Sequence, residues 1–248
     1  MNPSNPTADA PREPDLPSWE VVLAETDWCS LQTAFGHGGN LPEIMARLLE
    51  PDVKAQFTAL SELSELAGHQ HGIYEATAPV TLYVAGILAH PATLTLRPYR
   101  DVPFRATLLN WLASTAYDAS DDMVERITEY APGLLSRHGI LAAFRDLRPT
   151  LYRAVAPFLR DGHEDVREAA GLAALVLVEH PALAHRREHL AVHARRVLAT
   201  EGDVPNRRVA WRALKAWGYD VTGIEPPQVE VWDCGPHSDG RGDLVPPF

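Results

Sequence analysis

The sequence predicts an all-α fold, built as a short right-handed solenoid of helical hairpins. Three observations carry that expectation. Apolar residues recur at helical spacing along most of the chain, a start pattern of Asp-Val recurs four times, and a second helical segment precedes each of those starts. The helical stripes are Leu41, Ile44, Met45, Leu48 and Leu49; Phe57, Leu60, Leu63 and Leu66; Leu108, Leu109, Leu112 and Ala116; Leu172, Leu175, Val176 and Leu177; and Leu190, Val197 and Leu198. Residues at i, i+3, i+4 and i+7 share one face of a helix, so each stripe needs a neighbour to cover it. Alternation suited to a half-buried strand is confined to Thr93–Leu96, which lies between Pro91 and Pro98 and reads as a loop.

The Asp-Val starts are Asp52-Val53, Asp101-Val102, Asp165-Val166 and Asp203-Val204. In each, the carboxylate is expected to accept orphan N–H groups at a helix N-terminus and to face the positive end of the helix dipole. The partner helices are expected at Leu41–Glu50, about Thr77–Ala89, Leu151–Leu159 and about His185–Thr200. Between the second and third starts, Asp121–Ala131 and Leu134–Leu147 carry helical text without the Asp-Val signature, which reads as a degenerate hairpin of the same array. Ahead of the array, Trp19–Leu31 reads as a capping helix, and Gly36–Asn40 as a break with Asn40 placed to cap the next helix.

Composition bounds the rest. Hydrophobic residues make up 46% of 248, enough to offset chain entropy. Residues 1–17, with five prolines, read as a disordered leader, 18–218 as the helical-repeat domain and 219–248 as an extended tail. Two cysteines, Cys29 and Cys234, fit neither a disulfide framework nor a zinc module. With no signal-peptide pattern at Met1–Pro6, the expectation is a cytoplasmic protein. The longest apolar stretch, Ala76–Ala89, is short of the roughly 18 residues a membrane helix needs, so no membrane partner is expected.

The net charge of −11 is unevenly spread. Residues 181–217 carry eight Lys and Arg against three Asp and Glu, flanked by acidic sequence on both sides. Within this block, His185, His189, His193 and Arg196 are spaced to form one stripe, and Arg186, Arg187, Arg195, Arg207, Arg208 and Arg212 add charge. A cationic patch over 185–215 suits an acidic protein surface, a phosphate backbone or the chain's own acidic tail. A second candidate surface is His69, His71 and Tyr74, between two helical segments. Two imidazoles with Glu75 and His37 invite a metal, but a metal site needs three or four arranged ligands, and the expectation is that no metal or other cofactor is bound. Phosphate-binding loops, nucleophile elbows and zinc-protease motifs are missing from the sequence, so no catalytic residue is assigned and a non-enzyme is expected.

Two resemblances sharpen these expectations. Asp161-Gly162-His163-Glu164-Asp165-Val166-Arg167-Glu168-Ala169-Ala170 resembles the HEAT-repeat consensus, an Asp-rich turn followed by Val-Arg-x-x-Ala-Ala. Successive starts lie 49, 64 and 38 residues apart, against about 40–47 for HEAT and armadillo units. The family's inter-repeat Asp–Arg ladder is matched at both positions only by Asp165 and Arg167. Asp27-Trp28, Ala34-Phe35-Gly36 and His69-Gln70-His71-Gly72-Ile73-Tyr74-Glu75-Ala76-Thr77 resemble a group of actinobacterial HEAT-repeat proteins, with His71 inserted and Phe35 in place of Tyr. The resemblance implies a HEAT-like, armadillo-like solenoid and carries no activity over beyond an immunity or regulatory setting; the expectation from the solenoid itself is a non-catalytic scaffold that docks a protein partner on its concave face. The competing expectation is a nucleic-acid binder related in architecture to the HEAT-like alkylbase DNA glycosylases, with the 185–215 patch as its surface and Trp111, Trp211, Trp217 and Asp118 as the residues to invoke.

Overall fold

The structure, a computed structural model, describes residues 15–96, 101–130, 138–199 and 204–224. The described residues are mostly helical, as expected. α1 (Trp19–Glu25) is followed by a two-residue antiparallel pair, β1 (Gln32–Thr33) and β2 (Gly36–His37), and then by α2 (Leu41–Arg47) and α3 (Val53–Gly68). Next come α4 (Thr77–Ile87), α5 (Phe104–Asp118), α6 (Asp121–Tyr130), α7 (His138–Asp146) and α8 (Arg148–Val155). α9 (Glu164–Leu177), α10 (Arg187–Ala199) and α11 (Val204–Ala216) complete the order. Among the described residues no helix is long and apolar enough to cross a membrane. Residues 1–14 of the expected leader and 225–248 of the expected tail lie outside the described residues.

Four helical pairs pack as hairpins: α2 with α3, α4 with α5, α8 with α9 and α10 with α11. Their second helices touch in sequence, α3 on α5, α5 on α9 and α9 on α11, and one continuous core runs from Val22 to Leu214. The α5–α9 contact is the most extensive helix pairing. Small residues allow it: α5 buries Ala106, Ala113 and Ala116, and α9 buries Ala169, Ala170, Gly171, Ala173 and Ala174. Because α5 packs directly on α9, α6 and α7 do not form a further hairpin within this row. The expectation of one there is corrected: α6 touches α5, and α7 touches α4 and α8.

The N-terminal helix is shorter than expected. Thr26 leaves helical geometry, its hydroxyl donates to the Val22 carbonyl at 2.6 Å, and the Trp28 indole N–H donates back to the Leu23 carbonyl at 3.0 Å. These bonds satisfy the last carbonyls of α1 and turn the chain, so Trp28 is buried by folding back rather than by continuing the helix.

The capping expectation holds for one acid. Asp52 accepts the Lys54 N–H at 3.0 Å. Asp101 does not cap α5, because residues on both sides of 97–100 pair as an isolated bridge, Leu96 with Pro103, and the helix starts only at Phe104. Asp165 lies inside the first turn of α9, where it still faces the dipole, while His163 occupies the cap. Asp203 lies outside the described residues. Asn40 stands at the start of α2 without a side-chain cap bond.

Polar side chains tie consecutive hairpins together. Gln56, fully buried on α3, donates to the Leu48 carbonyl at 3.2 Å within its hairpin and to the Ala92 carbonyl beyond α4 at 2.9 Å. Arg105, one hairpin later, donates to the Leu88 carbonyl at 2.6 Å, lies over the Phe158 ring and reaches Asp161 at 3.6 Å. Each stands four residues after the acid of its Asp-Val pair.

Arg148, at the start of α8, has no exposed surface. It donates to Ala116 and Ala119, the last carbonyls of α5, at 3.3 and 2.9 Å, and to Glu179 at 2.9 Å. The same Glu179 oxygen accepts the Asp121 N–H at 3.2 Å, where α6 begins. Burial lowers the Arg148 pKa and raises that of Glu179, with each partner opposing the shift of the other. Arg148→Met strands Glu179 and the α5 carbonyls, and should cost about 3 kcal/mol by denaturant unfolding. Adding Glu179→Gln should return part of that loss, since the uncompensated charge goes with it.

Candidate functional site

The cationic residues expected to form one patch separate into three settings. Arg186, His189, His193 and Arg196 line a groove of about 620 Å³ between the end of α8, α9 and α10. Arg160 and Arg167 join them, and Glu164 and Glu168 temper the charge. His185 sits in the turn Pro181–Arg186 rather than on α10, so the expected stripe of three histidines on one helix is reduced to two. His193 is half-buried over Gly171, where an added Cβ would lie 2.1 Å from the imidazole. The contact explains a glycine in the middle of α9, a position that costs roughly 1 kcal/mol relative to alanine. Burial first, and Arg196 second, lower the His193 pKa.

Arg187 and Arg195 face elsewhere: Arg187 donates to the Val178 carbonyl at 3.5 Å, and Arg195 lies over the Tyr219 ring at 4.8 Å. Arg207 is half-buried on α11, outside the groove.

Arg208 and Arg212 form the third setting. Both turn from α11 to Asp122 in the first turn of α6, a carboxylate whose side chain is 4% exposed. Arg212 pairs with it closely and also meets Glu125 at 3.0 Å. Arg208 and Arg126 each approach Asp122 at 3.5 Å. The Tyr117 hydroxyl donates to it at 2.5 Å. Burial alone pushes the Asp122 carboxyl up, but the tyrosine and three guanidinium groups outweigh it and hold it below the ordinary value. The Tyr117 hydroxyl is pushed up to about 12, by burial first and then by Asp122.

Of the α11 arginines in the expected 185–215 surface, Arg208 and Arg212 therefore meet Asp122 while their side chains stay 24% and 36% exposed. Nothing in the spacing of Arg208 and Arg212 names their acid. The adjacent Asp121-Asp122 at the start of the expected degenerate hairpin is the signal the sequence held, and only the fold brings it to α11.

His69, His71 and Glu75 also part company. The His69 ring meets Glu65 at 2.9 Å and Phe35 edge-on, Glu75 accepts the Gln32 N–H at 2.9 Å, and His71 meets Asp118 at 2.7 Å. Tyr74 folds over Gly72 and its hydroxyl donates to the His69 carbonyl at 3.3 Å. Among the described residues no three His, Cys, Asp or Glu side chains gather as a metal site.

His71 belongs with the α11 cluster. It lines a cleft of about 600 Å³ with Asn110 and Ser114 of α5, Arg126 of α6, Val176 of α9 and Arg208 of α11. Gln70 and His71 both have positive φ, 50° and 61°, in the left-handed region that non-glycine residues avoid. Asp118, 5% exposed, meets the His71 imidazole beside this left-handed backbone; burial raises its carboxyl pKa and His71 opposes the rise.

The aromatic residues named for base recognition serve packing. Trp111 bridges α5 to α3 through a 3.0 Å bond to Ser64, and Trp211 donates to the Ile224 carbonyl at 3.2 Å with Lys215 over its ring. Trp217 packs on the core. No family model, no curated protein and no solved structure matches the chain significantly.

Two outcomes follow from this geometry. A carboxylate held below its unfolded pKa contributes stability above that unfolded value, and the contribution fades as pH falls through the folded value. Asp122→Asn should therefore lower stability near neutral pH by about 2 kcal/mol, allowing for the partial exposure of its arginines. Denaturant curves of variant and parent should converge at pH below 3.8, the ordinary carboxyl value. Gln70→Gly should raise the thermal midpoint, gaining up to about 1 kcal/mol as left-handed strain is relieved against greater unfolded-chain entropy.

Proposed function

We propose that the chain is a HEAT-like helical-repeat module, a short right-handed solenoid, that works in the cytoplasm without catalysis by docking an acidic segment of a protein partner. The single observation that carries this reading is the groove lined by Arg160, Arg167, Arg186, His189, His193 and Arg196. It offers four guanidinium groups against Glu164 and Glu168, on a chain whose net charge is −11. A local cationic site on an acidic body favours a short acidic strand or helix over a long polyanion, because the remaining surface repels the rest of a phosphate backbone. The close pairing of Arg212 with Asp122 and Glu125 also removes a charge that a nucleic-acid reading would use.

The groove lies where the end of α8 and α10 meet the start of α9, so the docking surface proposed here takes in α9 and leaves out α3, α5 and α11. An immunity or regulatory role is the setting in which such docking would operate.

Fluorescence anisotropy with a labelled oligoglutamate peptide and with random duplex DNA, each at two salt concentrations, tests the reading. The peptide should bind, and Arg186→Glu with Arg196→Glu should weaken it about tenfold or more while helicity is unchanged. Tight, steeply salt-dependent DNA binding with no peptide binding would favour the nucleic-acid alternative.

A further inference from the structure

We infer that the cleft between α5, α6, α9 and α11 binds a small organic carboxylate with an apolar body. The cleft is separate from the α8–α10 groove. Among the described residues, Arg126, Arg208 and Arg212 meet two carboxylates, Asp122 and Glu125, so this cluster holds one more cation than anion. Arg212 takes the close contacts with both acids. Arg126 and Arg208 are held near Asp122 at 3.5 Å, outside the roughly 2.7–3.2 Å of a good N–H···O bond. Their side chains are 36% and 24% exposed, and both line the cleft. Two forked donors are thus preset by a buried carboxylate without being consumed by it, an arrangement that suits a second carboxylate from solvent.

The opposite requirement, an apolar body, comes from the remaining wall. Ala113, Met123, Leu172, Val176 and Val209 contribute apolar surface, with Asn110 and Ser114 at exposed positions on α5. A volume of about 600 Å³ lies within the range of small-molecule sites. The other carboxylate nearby, Asp118, is buried and meets His71 rather than an arginine.

Isothermal titration with sodium octanoate, and with inorganic phosphate as the comparator, decides the matter. Octanoate should bind saturably, tighter than about 1 mM. Arg208→Gln should weaken it about tenfold or more. Ser114→Trp, which fills the mouth from an exposed α5 position and leaves every charge in place, should do the same with an unchanged circular dichroism spectrum and melting temperature. Absence of saturable octanoate binding overturns the inference. So does octanoate binding that survives Ser114→Trp, and so does phosphate binding as tight as octanoate, which would leave a simple anion site with no use for the apolar wall.

Discussion

Arg148 is the contact on which the arrangement of the helices depends. Its guanidinium closes the C-terminus of α5, opens α8 and meets Glu179 just past α9, all without exposed surface. A charge in that position is expensive to desolvate, and only several directed bonds at once make it tolerable. The requirement fixes geometry: α5, α8 and α9 must converge on one point, so α5 and α9 become neighbours although the chain between them makes three helices, α6, α7 and α8. Glu179 also holds the amide of Asp121, which ties the exit of that excursion to its return. Asp122 is one residue further, and its position opposite α11 follows from the same anchor.

The other polar ties repeat this logic at lower cost. Gln56 and Arg105 each serve a carbonyl of their own hairpin and a group of the next. Helix ends that would otherwise bury unsatisfied carbonyls are paired, and the pairing sets the register between hairpins. Apolar stripes supply most of the burial, but they are compatible with several sliding positions. Directed bonds from single side chains select one.

Much of the fold was legible in the sequence. The stripes through Leu41–Leu49, Phe57–Leu66 and Leu108–Ala116 give α2, α3 and α5; a helix precedes each start, close to expectation for α2 and α4, but shifted to Arg148–Val155 for α8 and starting only at Arg187 for α10. Periodicity reports burial directly, and burial is what the stripes feel. The caps were less legible, because Asp101 and Asp165 share a dipeptide with Asp52 but differ in what surrounds it: Pro103 follows one and His163 precedes the other. The direct packing of α5 on α9 was invisible, since nothing local marks Ala113 or Ala173 as facing a helix sixty residues away. At the site, the clustering of Arg186, His189, His193 and Arg196 followed from helical spacing, whereas the partnership of Arg208 with Asp122 and that of His71 with Asp118 join segments far apart in sequence. Charge counted along the chain treats all arginines of a block alike; only the fold separates those facing outward from those facing a buried acid.

The clasp between α6 and α11 bears on how such a chain can change length. Arrays of stacked hairpins ordinarily grow or shrink by duplicating or deleting a unit, because each unit touches only its neighbours. Here Asp122 reaches from the excursion after α5 past α9 to Arg208 and Arg212. An extra hairpin between α9 and α11 would displace those arginines by about 10 Å, one helix-packing distance, and leave Asp122 buried without them. Inserting or deleting a hairpin beyond α5 would therefore break this clasp, so repeat number here is physically coupled to one buried carboxylate.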